Sequence, residues 1–284
     1  MNQAIDAPLE AIGQLIESRS DSLLGLGMVG VLAAARIAGL VFTLPGWQSG
    51  VFPVRLRLAG VLVVTWLVVP MLSGAELSGL DGPTVVGRAL IEAIIGAVLG
   101  LGVVAVLAGL RGAGEIIDRQ TGWGLAGVLD PSGSGGGPGT TLVTWAAVAA
   151  LFVMTPINGH LLLVDSLLGT FAAIPPGAID IAGGVSLSPK AGDLVVRLVH
   201  QSLVLAVQVA APVLAVMLLV SVVIGMVGRA LPETNVLVAA MPARVLVGVM
   251  LLSMVVTGAG RVMTDAVPGM LYEVTSTLVE VTAR

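Results

Sequence analysis

Two apolar runs, residues 203–227 and 236–256, are separated by only a few polar residues, and each matches the roughly 20 residues a helix needs to cross a bilayer. The first is interrupted only by Gln208 and Ser221. Between the runs, Arg229, Pro232, Glu233 and Asn235 form a polar turn: proline cannot continue the first helix, and asparagine suits turns and caps. The pattern predicts a membrane hairpin.

The rest of the chain has the same character. Of 284 residues, 56% are hydrophobic and 11% charged, against about 25% charged in ordinary soluble domains. No polar segment is long enough to fold alone, so residues 1–284 read as a single all-α, polytopic membrane domain with about six hydrophobic helical segments, some of them broken. Cysteine is absent, which excludes disulfides, zinc-thiolate sites and thiol nucleophiles. With a net charge of -4 and no run of Lys or Arg, the chain lacks the basic stripe that nucleic acid requires.

Taken in order, residues 1–21 carry Leu9, Ile12 and Ile16 at helical spacing behind Asp6 and Pro8, an amphipathic N-terminal segment. Its acidic start lacks the positive region of a cleaved signal, so the first hydrophobic run is expected to stay as a span. Membrane helices then occupy residues 22–260, with loops expected at 45–53, 73–83, 111–140, 175–193 and 228–235. The span ending near residue 110 is dense in glycine, and Gly96 and Gly100 form a small-xxx-small step that lets membrane helices approach closely. Residues 261–284 form an amphipathic C-terminal helix: Val267, Leu271, Val274, Leu278 and Val281 recur at helical spacing, and Pro268 suits its first turn.

One region departs from simple crossing. Residues 141–154 and 161–171 are apolar but too short to span, and Thr155-Pro156-Ile157-Asn158-Gly159-His160 breaks the helix between them. Such a break is tolerated at membrane depth only where it is buried in protein or lines a water-filled cavity.

Polar groups inside the hydrophobic runs are the candidate functional residues. Arg36 lies within the first span, and Glu92 sits about two turns into the third; a charge at such depth costs a few kcal/mol unless it faces protein or water. These groups either line a conducting path or act as links between helices. No nucleophile with a base, paired carboxylates or metal cluster is recognisable, so neither an enzyme nor a cofactor is expected.

Several spaced motifs together resemble the FliR family, membrane proteins of the flagellar and type III secretion export gate. In the N-terminal part, Arg36, the Leu44-Pro45-Gly46 turn, Pro53 and Arg55 match in order. Further on, the Gly-rich stretch ending in Asp130-Pro131 and the run Asn158-Gly159-His160 match, and near the C-terminus Pro212, Gly225, Arg229, Pro232, Asn235, Pro242 and Gly248 follow. Glu233-Thr234 and Ala243-Arg244 stand where the family usually has other residues, so the match is to positions more than to identities.

The resemblance implies a subunit of the bacterial inner membrane, in a flagellar basal body or injectisome base. It would stand in a hetero-oligomeric helical assembly with FliP-type, FliQ-type and FlhB-type partners, passing unfolded secreted proteins while in contact with membrane lipid. Gate or subunit-contact candidates are then Arg36, Glu92, Asn158, Gly159, His160, Arg229, Pro232, Asn235, Pro242 and Gly248. A secondary transporter is the alternative, since broken helices and buried charges also suit solute passage.

Overall fold

Without water to satisfy them, backbone N–H and C=O groups in apolar runs must pair within their own segment. In the computed structural model the described residues are 25–44, 53–72, 82–123, 137–153, 158–179, 189–230 and 236–282, and they contain helices and turns but no strand. The helices are α1 (Gly25–Thr43), α2 (Val54–Val68, followed by the 3-10 turn Val69–Leu72), α3 (Gly82–Thr121), α4 (Pro138–Val153), α5 (Gly159–Ala173), α6 (Pro189–Ala230) and α7 (Val236–Thr282). Among the described residues five helices are long and apolar enough to cross a membrane, and α5 is a shorter apolar helix. The chain is an all-α, multi-pass membrane protein.

Two compact units divide the chain: residues 1–101, 166–188 and 275–284 in one, residues 102–165 and 189–274 in the other. In the first, α1 buries Val29, Leu32, Ala33, Arg36, Ile37 and Leu40, spacings that put one face of the helix inside. By contrast α2 buries only Val61, Thr65 and Val68, leaving Leu62, Val63, Trp66 and Met71 exposed.

The second unit contains the expected hairpin. Leu194, Leu198, Leu205, Val209, Val213 and Met217 of α6 are buried, as are Leu252, Val255, Ala259, Met263 and Val267 of α7. Near the turn, Arg244 donates to the Ser221 hydroxyl at 3.3 Å.

Several expected boundaries shift. The loop placed at 111–140 begins only after Thr121, because α3 continues through the Arg111–Glu115 pair and stops where Gly122 takes the left-handed conformation, φ +87°. Residues 82–83, 189–193 and 228–230, also assigned to loops, are helical. Pro268 starts no new helix. It lies inside α7, which runs unbroken from the last span into the C-terminal stripe, and Val267, Leu271, Val274 and Leu278 of that stripe are buried. Pro212 likewise lies within α6. Neighbouring helices can absorb one lost ladder bond, which is why membrane helices tolerate interior prolines.

Residues 1–21, the Pro45-Gly46-Trp47 turn, Asp130-Pro131, the Thr155-Pro156-Ile157 part of the break, the turn with Pro232 and Asn235, and Val281's side chain lie outside the described residues.

Candidate functional site

Close helix approach comes first, because it is what brings the charged residues together. At Gly39 of α1 an added Cβ would overlap the Ala93 carbonyl of α3, at Gly96 it would overlap the Arg36 carbonyl, and at Gly100 the Thr43 hydroxyl. The backbones of α1 and α3 are therefore in direct contact, as small residues permit. Thr43 turns its hydroxyl back onto the carbonyls of Gly39 and Leu40 at 2.9 and 2.8 Å, so it presents no unsatisfied donor at the crossing.

Arg36 and Glu92 face each other across this crossing. Arg36 Nε donates to Glu92 Oε2 at 2.6 Å, and Nη2 stands 2.6 Å from the same oxygen. Relative exposure is 0% for Arg36 and 2% for Glu92, so the pair is removed from solvent and from lipid. Isolated charges in that position would cost several kcal/mol each, and only added hydrogen bonds make such a pair tolerable.

Those bonds come from the C-terminal end of α5. Arg36 Nη2 donates to the Ile174 carbonyl at 3.0 Å, and Nη1 reaches the Thr170 hydroxyl at 3.4 Å. The Phe171 ring lies 4.4 Å from the guanidinium carbon, within cation–π range. Arg36 thus serves as a C-terminal cap for α5, pairing a carbonyl that the helix leaves without a partner. On the opposite side, Gly177 N–H donates to Glu92 Oε1 at 2.9 Å, which occupies the second carboxylate oxygen.

The Gly177 amide is held by a turn with its own sequence logic. Ala178 N–H bonds the Pro175 carbonyl at 3.1 Å, and Gly177 has φ +76°. Pro176 at the second position and a left-handed glycine at the third are the requirements of a type II turn. Pro176 and Gly177 are buried, so the start of the loop expected at 175–193 folds onto the ion pair, where the Gly177 amide pairs the carboxylate oxygen that Arg36 leaves open.

A second buried carboxylate escaped the sequence reading. Asp118, 3% exposed, accepts the backbone N–H groups of Gly139 and Thr140 at 2.8 and 2.9 Å, and the Thr140 hydroxyl as well. These are first-turn donors of α4, so α3 provides the N-terminal cap that α4's own Pro138 start lacks. The signal was faint, since an Asp near a helix end twenty residues upstream of a Gly-Pro-Gly-Thr run carries no motif.

The remaining candidates are dispersed. Asn158 is exposed and left-handed, φ 42°, and its carbonyl accepts from Leu161 and Leu162 at 2.8 and 3.0 Å to start α5. Among the described residues no buried polar link is made by Asn158; it shapes the turn instead. Gly159 is buried, whereas His160, Arg229 and Pro242 are exposed. Gly248 is buried where a Cβ would overlap the Thr121 side chain, so its role is close packing of α7 on the end of α3. Among the described residues no group of three or more His, Asp or Glu is placed to hold a metal ion.

Helices of membrane length, two of them joined by a buried ion pair, define a polytopic membrane protein. Residues 28–270 match the family described as bacterial export proteins, family 1. The chain is 30% identical over 214 residues to the flagellar biosynthetic protein FliR of Caulobacter vibrioides, covering 73% of this chain and 80% of that one. The FliR of Bacillus subtilis is 31% identical over 52% of this chain and 55% of its own, and that of Escherichia coli 27% identical over 72% and 74% respectively. The chain belongs to the bacterial export proteins of family 1, and with them to the inner-membrane components of the flagellar or type III export apparatus.

Proposed function

We propose that within this apparatus the chain is a subunit of the export gate, assembling with FliP-type, FliQ-type and FlhB-type subunits and helping to form the path of unfolded substrate proteins. The observation that carries the reading is the length of exposed apolar surface on α6. Val195, Val196, Val199, Leu203, Val207, Leu218, Val223 and Val227 are all exposed. At about 1.5 Å per residue, the stripe from Val195 to Val227 extends ~48 Å, against ~30 Å of hydrocarbon. Lipid alone would cover it only at a tilt of about 50°, beyond the range of spanning helices. Protein neighbours are the simpler cover, and they fit a hetero-oligomeric gate. No such observation favours the solute transporter weighed from the sequence.

Co-expression tests the reading. Alone, the chain should be disperse in detergent; with FliP-type and FliQ-type subunits it should give one stable complex, and deleting its gene should stop export. A monodisperse monomer that moves a small solute across liposomes would overturn the proposal.

A further inference from the structure

A cavity of about 290 Å3 opens between α6 and α7, and its lining includes His200, Gln201, Gln208 and Asp265 beside Val204 and Met270. Four polar side chains are thus gathered on one cavity between the two helices. Gln201 Nε2 donates to Glu273, whose carboxylate also lies 3.6 Å from Arg197. That contact fixes the amide orientation, because a carboxylate accepts only from the NH2 side. The other end, Gln201 Oε1, is buried and has no hydrogen-bond partner. Asp265 is exposed, and among the described residues no hydrogen-bond or ion-pair partner reaches it.

The cavity lining therefore includes Gln201, whose amide oxygen is buried without a partner, and a carboxylate that has none among the described residues. Both are acceptors. The charge of Glu273 is already opposed by Arg197, so Asp265 leaves the cavity negative. Around it the surface of α6 is apolar, with Leu203, Val204 and Val207 exposed. An occupant must bring a cation with several N–H donors, and it must carry that cation on an apolar flank.

We infer that this cavity seats the Lys or Arg side chain of a membrane helix from a neighbouring subunit, whose apolar face covers Leu203, Val204 and Val207. The cation pairs with Asp265 and donates to Gln201 Oε1, while the polar groups of α6 and α7 are removed from lipid. This deepens the reading of the chain as one subunit of a larger gate, and it rests on that reading.

The absence of cysteine makes the test clean. A single V204C, in the full chain assembled in native membranes, is labelled with a maleimide photoprobe, irradiated, and the attached peptide identified by mass spectrometry. The expected product is a transmembrane peptide of another subunit containing Lys or Arg. Asp265→Lys should lower the adduct yield about tenfold or more, and reversing the partner's charge should restore it. Because Asp265 is exposed, D265K should leave the helix pair folded, and D265N, which removes charge without repulsion, should give a smaller loss. Attachment only to lipid, to a second copy of this chain, or to a peptide without a basic residue would overturn the inference, as would an unchanged yield in D265K. Co-purification with export subunits in those cases would leave the gate reading intact, whereas failure to co-purify with any of them would sink both.

Discussion

Arg36 of α1 and Glu92 of α3, 56 positions apart in the chain, meet at 2.6 Å with both side chains buried. Neither bonds only the other. The guanidinium ends α5 through the Ile174 carbonyl, and the carboxylate holds the following turn through the Gly177 amide. Three segments distant in sequence are thus tied at one point, and the tie is sensitive to the loss of either charge.

Arg36→Met or Glu92→Leu alone should each destabilise the protein by about 3–5 kcal/mol, because the remaining charge is left buried without its partner. The double variant R36M/E92L should recover part of that loss, because no charge is left buried alone while the Ile174 carbonyl and the Gly177 amide still lose their partners. Resistance to thermal unfolding in detergent, measured for all four members of the cycle, checks this. Additive losses in the double variant would mean that the two residues are not coupled.

Gly39 and Gly96 should tolerate no side chain. An added Cβ meets a backbone carbonyl of the facing helix at each, and backbone cannot rotate away as a side chain can. Gly96→Leu should push α1 from α3 and lower stability by about 1–3 kcal/mol or more. Gly25, whose Cβ would meet nothing within 4 Å, is the control: Gly25→Ala should be nearly neutral in the same melts.

The turn beneath Glu92 should discriminate between its two residues. Gly177→Ala forces a side chain into φ +76°, at about 1–2 kcal/mol. Pro176→Ala mainly loosens the unfolded chain, at about 0.4–1 kcal/mol. If the two variants melt alike, the left-handed glycine is not what holds this turn.

Asp118→Ala should fray the start of α4. A lost cap is worth about 0.5–2 kcal/mol, and here two amides and a hydroxyl lose their acceptor together. Hydrogen exchange at the Gly139 and Thr140 amides should accelerate while the α6–α7 pair keeps its protection. Unchanged exchange at both amides would show that the cap is redundant.

Gly159, a gate candidate from the sequence, is buried at the first position of α5. Replacing it with Leu should hinder secretion while leaving complex assembly largely intact. An export assay beside an ion-leak assay on the same strain checks this, and normal export through G159L would make the break a structural feature only. Asn158→Ala, which removes a residue suited to the left-handed conformation, should destabilise the start of α5 and loosen the closed state, raising ion leak.

Hydrophobic periodicity alone determined that this chain is helical and membrane-embedded, because backbone pairing in lipid is a local matter and apolar length is written residue by residue. It also marked Arg36 and Glu92 as anomalous, since charge within an apolar run is visible without any partner. The partner was not visible. Pairing across 56 positions depends on how closely α1 and α3 cross, and the glycines that set the distance mean nothing until the facing carbonyls are known. Gly96 and Gly100 were legible as a close-approach step, but the opposite member, Gly39, was not. Local rules failed where tertiary contacts rewrote a boundary: α3 passes 110 because its glycines pack against neighbours such as Thr140 and the Ser202 carbonyl, and Pro176 and Gly177 are buried where the Gly177 amide meets a buried carboxylate. Asp118 shows the same limit, since a cap supplied from another helix is a fact of geometry that no spacing in the sequence records.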